Sequence, residues 1–142
     1  MINLINILKS VLLEYTPSDP SNIDKAINDI SSLGYRNPLN PSEIVIDDKV
    51  IIEVSNWDKR LWISSLKSIE KKEGNATKVM TTICKIADKH NVTIALDPVP
   101  YGKDKNKLNY KQLVNFYKKF GFKFEEGEEG FGDMERVANQ NS

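Results

Sequence analysis

Apolar positions switch twice along the chain between helical and alternating spacing. Leu4, Ile5, Leu8, Val11, Leu12 and Tyr15 recur every three to four residues and predict an amphipathic helix over residues 4–14. Pro17, Asp19 and Pro20 stop it. Ser21 then reads as the N-cap of a second helix with the stripe Ile23, Ala26, Ile27 and Ile30, ended by Gly34. Two prolines and two asparagines make residues 35–41 a loop. The period next becomes extended. Residues 43–46, 49–54 and 61–69 predict three strands of an antiparallel meander, with turns at Asp47-Asp48 and over 56–59.

The strongest helix signal follows a polar loop at residues 70–74. Ala76, Val79, Met80, Ile83, Ile86 and Ala87 fall on one face, and Asn91 suits a left-handed helix end. Residues 92–96 form a compact apolar strand. A strand, this helix and that strand can make a crossover unit. After a polar loop over 97–107, Asn109 and Gln112 resemble a capping box opening a helix through Phe120, which Gly121 ends. Residues 122–124 and 134–137 are short strand candidates around an acidic, glycine-rich hairpin, and residues 138–142 read as a frayed tail. The whole predicts one α/β (α+β) domain over residues 1–142, with helices filling 1–34. Its sheet is mixed and mostly antiparallel, flanked by helices on both faces.

Charge narrows the function classes. Twenty Lys and Arg balance twenty Asp and Glu among 142 residues, so no global basic field points to nucleic acid. No apolar run approaches the roughly 18 residues of a membrane span, and the start of the chain lacks the cleavage pattern of a secretory leader. One cysteine, Cys84, and one histidine, His90, make neither an internal disulfide nor a usual zinc site, and they suit a reducing cytoplasm. Cys84 reads as a small helix residue, and His90 as a cation at a helix C-terminus. Trp62 reads as packing on the sheet. Trp57 sits in a turn, where it can line a pocket. Glu125, Glu126, Glu128 and Glu129 read as a solvated loop that can also attract a cation.

One loop carries the clearest chemistry. In Lys71-Lys72-Glu73-Gly74-Asn75-Ala76-Thr77 an apolar strand gives way to a strong helix. A helix start presents unpaired N–H groups and a positive dipole end. Gly74 and Ala76 let a phosphate approach the backbone, and Lys71 and Lys72 add charge: an anion cradle suited to a pyrophosphate. A nucleotide P-loop motif is absent. On composition alone, glycine before a helix is more often just a turn.

The order of elements adds to this. Strand Leu66-Lys67-Ser68-Ile69, then Lys71-x-x-Gly74-x-Ala76, an amphipathic helix and strand 92–96 resemble the acyl-CoA-binding core of the GNAT superfamily of N-acetyltransferases, whose signature is Arg/Gln-x-x-Gly-x-Gly/Ala. Residues 113–122, Leu-Val-Asn-Phe-Tyr-Lys-Lys-Phe-Gly-Phe, are similar to its A-x-x-L-Y-x-x-x-G-F segment, and Asp133-Met134-Glu135-Arg136 to its last strand. The resemblance covers residues 44–137 and is nearest to small acetyltransferase-like proteins of tailed phages. It implies acetyl-CoA as cosubstrate and a primary amine of unspecified identity as acceptor, attacking the thioester directly. It implies backbone pairing of the pantetheine arm along Leu66 and diphosphate binding by N–H groups from Lys72 to Thr77. Tyr117 would donate a proton to the departing thiolate.

Lys71 stands where the family has arginine or glutamine, keeping charge without the planar fork. The family's first strand is missing or disguised behind two helices. For the general base, Glu53 and Asp58 both stay open, each equally readable as a solvated carboxylate. Asp97 reads as a substrate contact or a turn starter. A non-catalytic CoA-binding or protein-interaction module, phage-encoded and acting on a host factor in the host cytoplasm, is the alternative. A homodimer stays open as the commonest soluble assembly.

Overall fold

The computed structural model describes residues 18–69, 74–99, 109–124 and 132–139. The predicted helix over 4–14, Lys71, Lys72 and Glu73, and the acidic hairpin lie outside the described residues.

Helix α1 spans Pro20–Ser31. Its N-cap is Asp19, two residues earlier than Ser21. The Asp19 carboxylate accepts from the Ser21 N–H and hydroxyl, both at 2.9 Å. Pro20 at the first helical position has no N–H to leave unpaired and a φ already suited to helix, so the start moves to it. Ile23, Ala26 and Ile30 are fully buried. The helix ends at the Ser32 cap in ordinary right-handed geometry. Gly34 therefore does not cap it. A Cβ at Gly34 would sit 1.8 Å from the Val45 carbonyl oxygen, so glycine is needed for a close backbone approach.

Residues 35–41, read from sequence as a loop, hold a hairpin. Strand β1 (Tyr35–Asn37) pairs antiparallel with β2 (Asn40–Ile46). Pro38 and Leu39 make its turn, flanked by Asn37 and Asn40, and the Asn37 side chain accepts from the Leu39 N–H at 3.0 Å. Strand β3 (Val50–Trp57) follows through Asp47 and Asp48, both at φ 55°. Strand β4 (Arg60–Ser68) follows through Asp58 and Lys59, at φ 54° and 57°. Paired positive φ values match strand twist; Asp58 and Lys59 make a two-residue loop, whereas Lys49 extends the first loop to three. The second turn is thus tighter than residues 56–59, and Trp57 belongs to a strand.

Helix α2 (Asn75–His90) ends on Asn91 at φ 57°, ψ 52°, as its position predicts. Strand β5 (Ile94–Leu96) then lies parallel to β4, completing the crossover unit. Helix α3 (Tyr110–Lys118) opens with the full Asn109–Gln112 capping box. Strands β6 (Lys123–Phe124) and β7 (Met134–Arg136) close the sheet. The order is β1-β2-β3-β4-β5-β7-β6, with β4–β5 the parallel pair. This is the mixed, mostly antiparallel sheet with packed helices that the pattern predicts.

One face carries the core. The register aligns Ile44, Ile52 and Leu66 in one row and Ile63, Leu96 and Met134 in another. Helices α1 and α2 pack against these rows through Ile23, Ile30, Met80 and Ile83, all fully buried. Burying each such side chain contributes roughly 1.5–3 kcal/mol. At the far end, Arg136 holds three elements together. It donates to both Asp88 carboxylate oxygens, at 2.8 and 3.0 Å, and to the Phe120 carbonyl at 2.8 Å.

Candidate functional site

Three features meet around the exit of β4. The first is the start of α2. Gly74 is its N-cap at φ 94°, a residue with no side chain to cap the first turn. Among the described residues, a Cβ there would meet nothing within 4 Å. Asn75, Ala76 and Thr77 form the first turn, at the positive end of the helix dipole. No acidic residue sits in that turn. Beside it, a small cavity of about 80 Å³ lies between Asn75, Lys78 and Val79 of α2 and the β2–β3 turn, lined there by Asp47 and Lys49. Lys49 and Lys78 are two cations that sequence reasoning missed. Lys78 was legible, one helical turn past Gly74. Lys49 is 25 residues from Gly74 by number and is brought close only by the hairpin.

The second feature is a gap in the sheet. β5 ends at Leu96, opposite Ile63 of β4. β4 continues to Ser68, so residues 64–68 have no strand partner on that edge among the described residues. A bulge marks the point of departure. Val54 pairs with Ile63 and Glu53 with Ser65, leaving Ser64 as the extra residue. Leu66 lies within the unpaired stretch, joined on its other edge to Ile52.

The third feature is a polar row on the face opposite the core. Glu43 pairs with Glu53, and Glu53 with Ser65. Side chains directly opposite share a face. Glu43, which the sequence reading passed over, is buried, and its carboxylate accepts from the Asn37 amide at 2.9 Å. Only pairing register could have revealed it.

The remaining candidates belong to other elements. Tyr117 is buried on α3, its ring edge-to-face with Phe116 at 5.3 Å and Phe122 at 5.6 Å. Asp58 is engaged by Arg60 at 3.1 Å, a buried guanidinium that also reaches Glu135 at 3.4 Å. That contact makes Asp58 a structural partner of Arg60. Asp97 is exposed beyond β5, with its carbonyl accepting from the Val99 N–H at 2.8 Å. Trp57 and Trp62 pack edge-to-face at 5.1 Å, with Arg60 over the Trp62 ring. Burial pushes the Cys84 thiol up to about 11, which keeps it protonated. His90 bonds Asp29 at 2.7 Å and ties α2 to α1. That bond, with help from Lys89, outweighs the opposing desolvation and holds the Asp29 carboxyl below its usual range. Among the described residues no three His, Cys, Asp or Glu gather as metal ligands, and no helix is long and apolar enough to cross a membrane.

The fold is similar to a solved structure, that of the anti-CRISPR protein AcrVA5. The match has a TM-score of 0.51 at 17% identity and covers 62% of this chain and 90% of that one. It shows a shared fold. No family model matches the chain, and no curated protein matches it in sequence.

Proposed function

We propose that the protein is an acetyl-CoA-dependent N-acetyltransferase acting on a primary amine. One observation carries the reading: β4 parts from β5 at a bulge and is followed by a helix whose glycine cap, among the described residues, has nothing within 4 Å of a Cβ position. An extended pantetheine arm suits the unpaired edge of residues 64–68, including Leu66, because its amides can pair with a strand's free N–H and C=O groups. A diphosphate suits the first turn of α2, at Gly74, Asn75, Ala76 and Thr77, with Lys49 and Lys78 adding charge. Lys71, Lys72 and Glu73 of the preceding loop belong to the same proposal.

The amine nitrogen attacks the thioester carbonyl carbon and the C–S bond breaks. No covalent enzyme intermediate forms. Glu53 takes a proton from the incoming ammonium, Tyr117 gives one to the departing thiolate, and the second proton shed by the acylated nitrogen restores the Tyr117 hydroxyl. The reaction belongs in the cytoplasm, where acetyl-CoA is made and a lone thiol stays reduced. A thiol-release assay tests the chemistry. Tyr117→Phe and Glu53→Gln should each lower kcat by about 10²-fold or more while acetyl-CoA still binds. Unchanged turnover in both would remove the assigned roles.

A second reading draws on the structural neighbour. AcrVA5 is an anti-CRISPR protein, and a fold can be kept while it serves to block another protein. Here the amine would be a lysine of a target protein, or the contact alone would suffice. Target inhibition that persists in Tyr117→Phe would favour contact over chemistry.

A further inference from the structure

We propose that Arg136 is a positioning residue for Tyr117. It ties helix α2 to the end of α3 and so fixes where the Tyr117 ring stands. That this ring carries the acid rests on the acetyl-transfer reading; its placement by Arg136 does not.

The contacts form a chain. Arg136 lies on β7 and Asp88 near the end of α2, and their side chains are 11% and 15% exposed. The guanidinium donates to both oxygens of the carboxylate, at 2.8 and 3.0 Å. One of those oxygens also accepts from the Asn139 N–H at 2.8 Å. The carboxylate is therefore held from two directions, and a two-pronged pair with a planar guanidinium fixes orientation as well as distance. The Arg136 Nε–H then donates to the Phe120 carbonyl oxygen at 2.8 Å.

Phe120 belongs to the turn that ends α3. The Tyr117 carbonyl accepts from the N–H groups of Phe120 and Phe122, at 3.0 and 3.3 Å. Gly121 reverses the chain at φ 95°, and a Cβ on it would lie 3.9 Å from both Cγ and Nε of Arg136. Arg136 thus rests against the turn as well as bonding to it. Phe122, 2% exposed, lies edge-to-face with the Tyr117 ring at 5.6 Å. Backbone bonds and ring contact both carry the position of the turn to Tyr117.

Stability alone is a poor reason for this arrangement. Taking two charges out of water costs about what their attraction returns, so a buried ion pair adds little over apolar packing. What it adds is a single geometry. A lysine would keep the charge without the rigid fork that reaches two carboxylate oxygens and a carbonyl at once. The helix held here, α2, is also the one that starts at Gly74. Arg136 thereby sets Tyr117 against the element proposed to hold the diphosphate. A proton donor works only within hydrogen-bond reach of the atom it serves, and a shift of about 1 Å can cost about 10²-fold in rate.

Ring signals of ¹³C-labelled tyrosine in the full-length protein test the placement without turnover. In Arg136→Gln the Tyr117 signals should move, while those of Tyr35, on the opposite edge of the sheet, stay in place. Arg136→Lys should repeat the change. Asp88→Asn, which keeps one oxygen to accept, should move the same signals in the same direction by less, and it guards against a folding defect in the first variant. Thiol release from acetyl-CoA with propylamine as acceptor gives a second readout. Arg136→Gln should lower kcat about tenfold with KM for acetyl-CoA within about twofold, and should lower it no further once Tyr117 is replaced by phenylalanine. Unmoved Tyr117 signals, equal movement at Tyr35, or full multiplication of the two kcat losses would each overturn the proposal. Tyr117 signals that move in a protein with no turnover sink the transferase reading and leave the positioning contact standing.

Discussion

Gly34→Ala is a small change with a large consequence in this fold. The added methyl would lie 1.8 Å from the Val45 carbonyl oxygen, 2.7 Å from its carbon and 3.1 Å from the Ile46 Cα. All three are backbone atoms of β2, so no side chain can swing aside. The strands must part by about 1.2 Å before the closest contact reaches 3.0 Å. Hydrogen bonds between strands tolerate only a few tenths of an ångström. The Tyr35–Val45 pairing next to Gly34 is therefore lost or displaced. Overpacking of this kind costs about 1–3 kcal/mol, and each lost backbone bond about 1 more. The reduced entropy of the unfolded alanine chain returns about 0.4–1 kcal/mol. The net loss is about 3 kcal/mol. With a urea slope of about 2 kcal/mol/M, the midpoint should fall by about 1.5 M. The same shift displaces β2 and with it Glu43. An unchanged or raised midpoint would refute the close approach.

Asp88 gives a second test. Burial works against its charge, but the Arg136 guanidinium and the Asn139 N–H outweigh it and hold the carboxyl below its usual range. A depressed folded pKa stabilises above the ordinary carboxylate value and loses that contribution as pH falls through the folded one. Asp88→Ala should cost about 2 kcal/mol at pH 7, and the gap in urea midpoint should close below about pH 4. Cys84, buried and held protonated, should react with a maleimide in native protein at least about a hundredfold more slowly than in urea.

Long periodic segments were legible in the sequence. Helix α2, its Asn91 end and the α3 capping box follow from local chemistry, which needs no distant partner. What was hidden depends on register. Strand β1 was masked by turn residues, because Pro38 and Asn37 mark a hairpin as readily as a loop. Gly34 looked like a helix stop because its reason, the Val45 carbonyl, lies eleven residues on. Glu53 was identified as a candidate base, but its row with Glu43 and Ser65 exists only once three strands are aligned. The gap at Ile63 is likewise a fact of strand length and topology.

Calorimetric titration with acetyl-CoA tests the central claim most directly. The account predicts saturable binding of one molecule per chain, weakened at least about tenfold when Gly74→Asp places a carboxylate at the cap of α2. Absence of heat at high micromolar acetyl-CoA, or identical binding by Gly74→Asp, would contradict it.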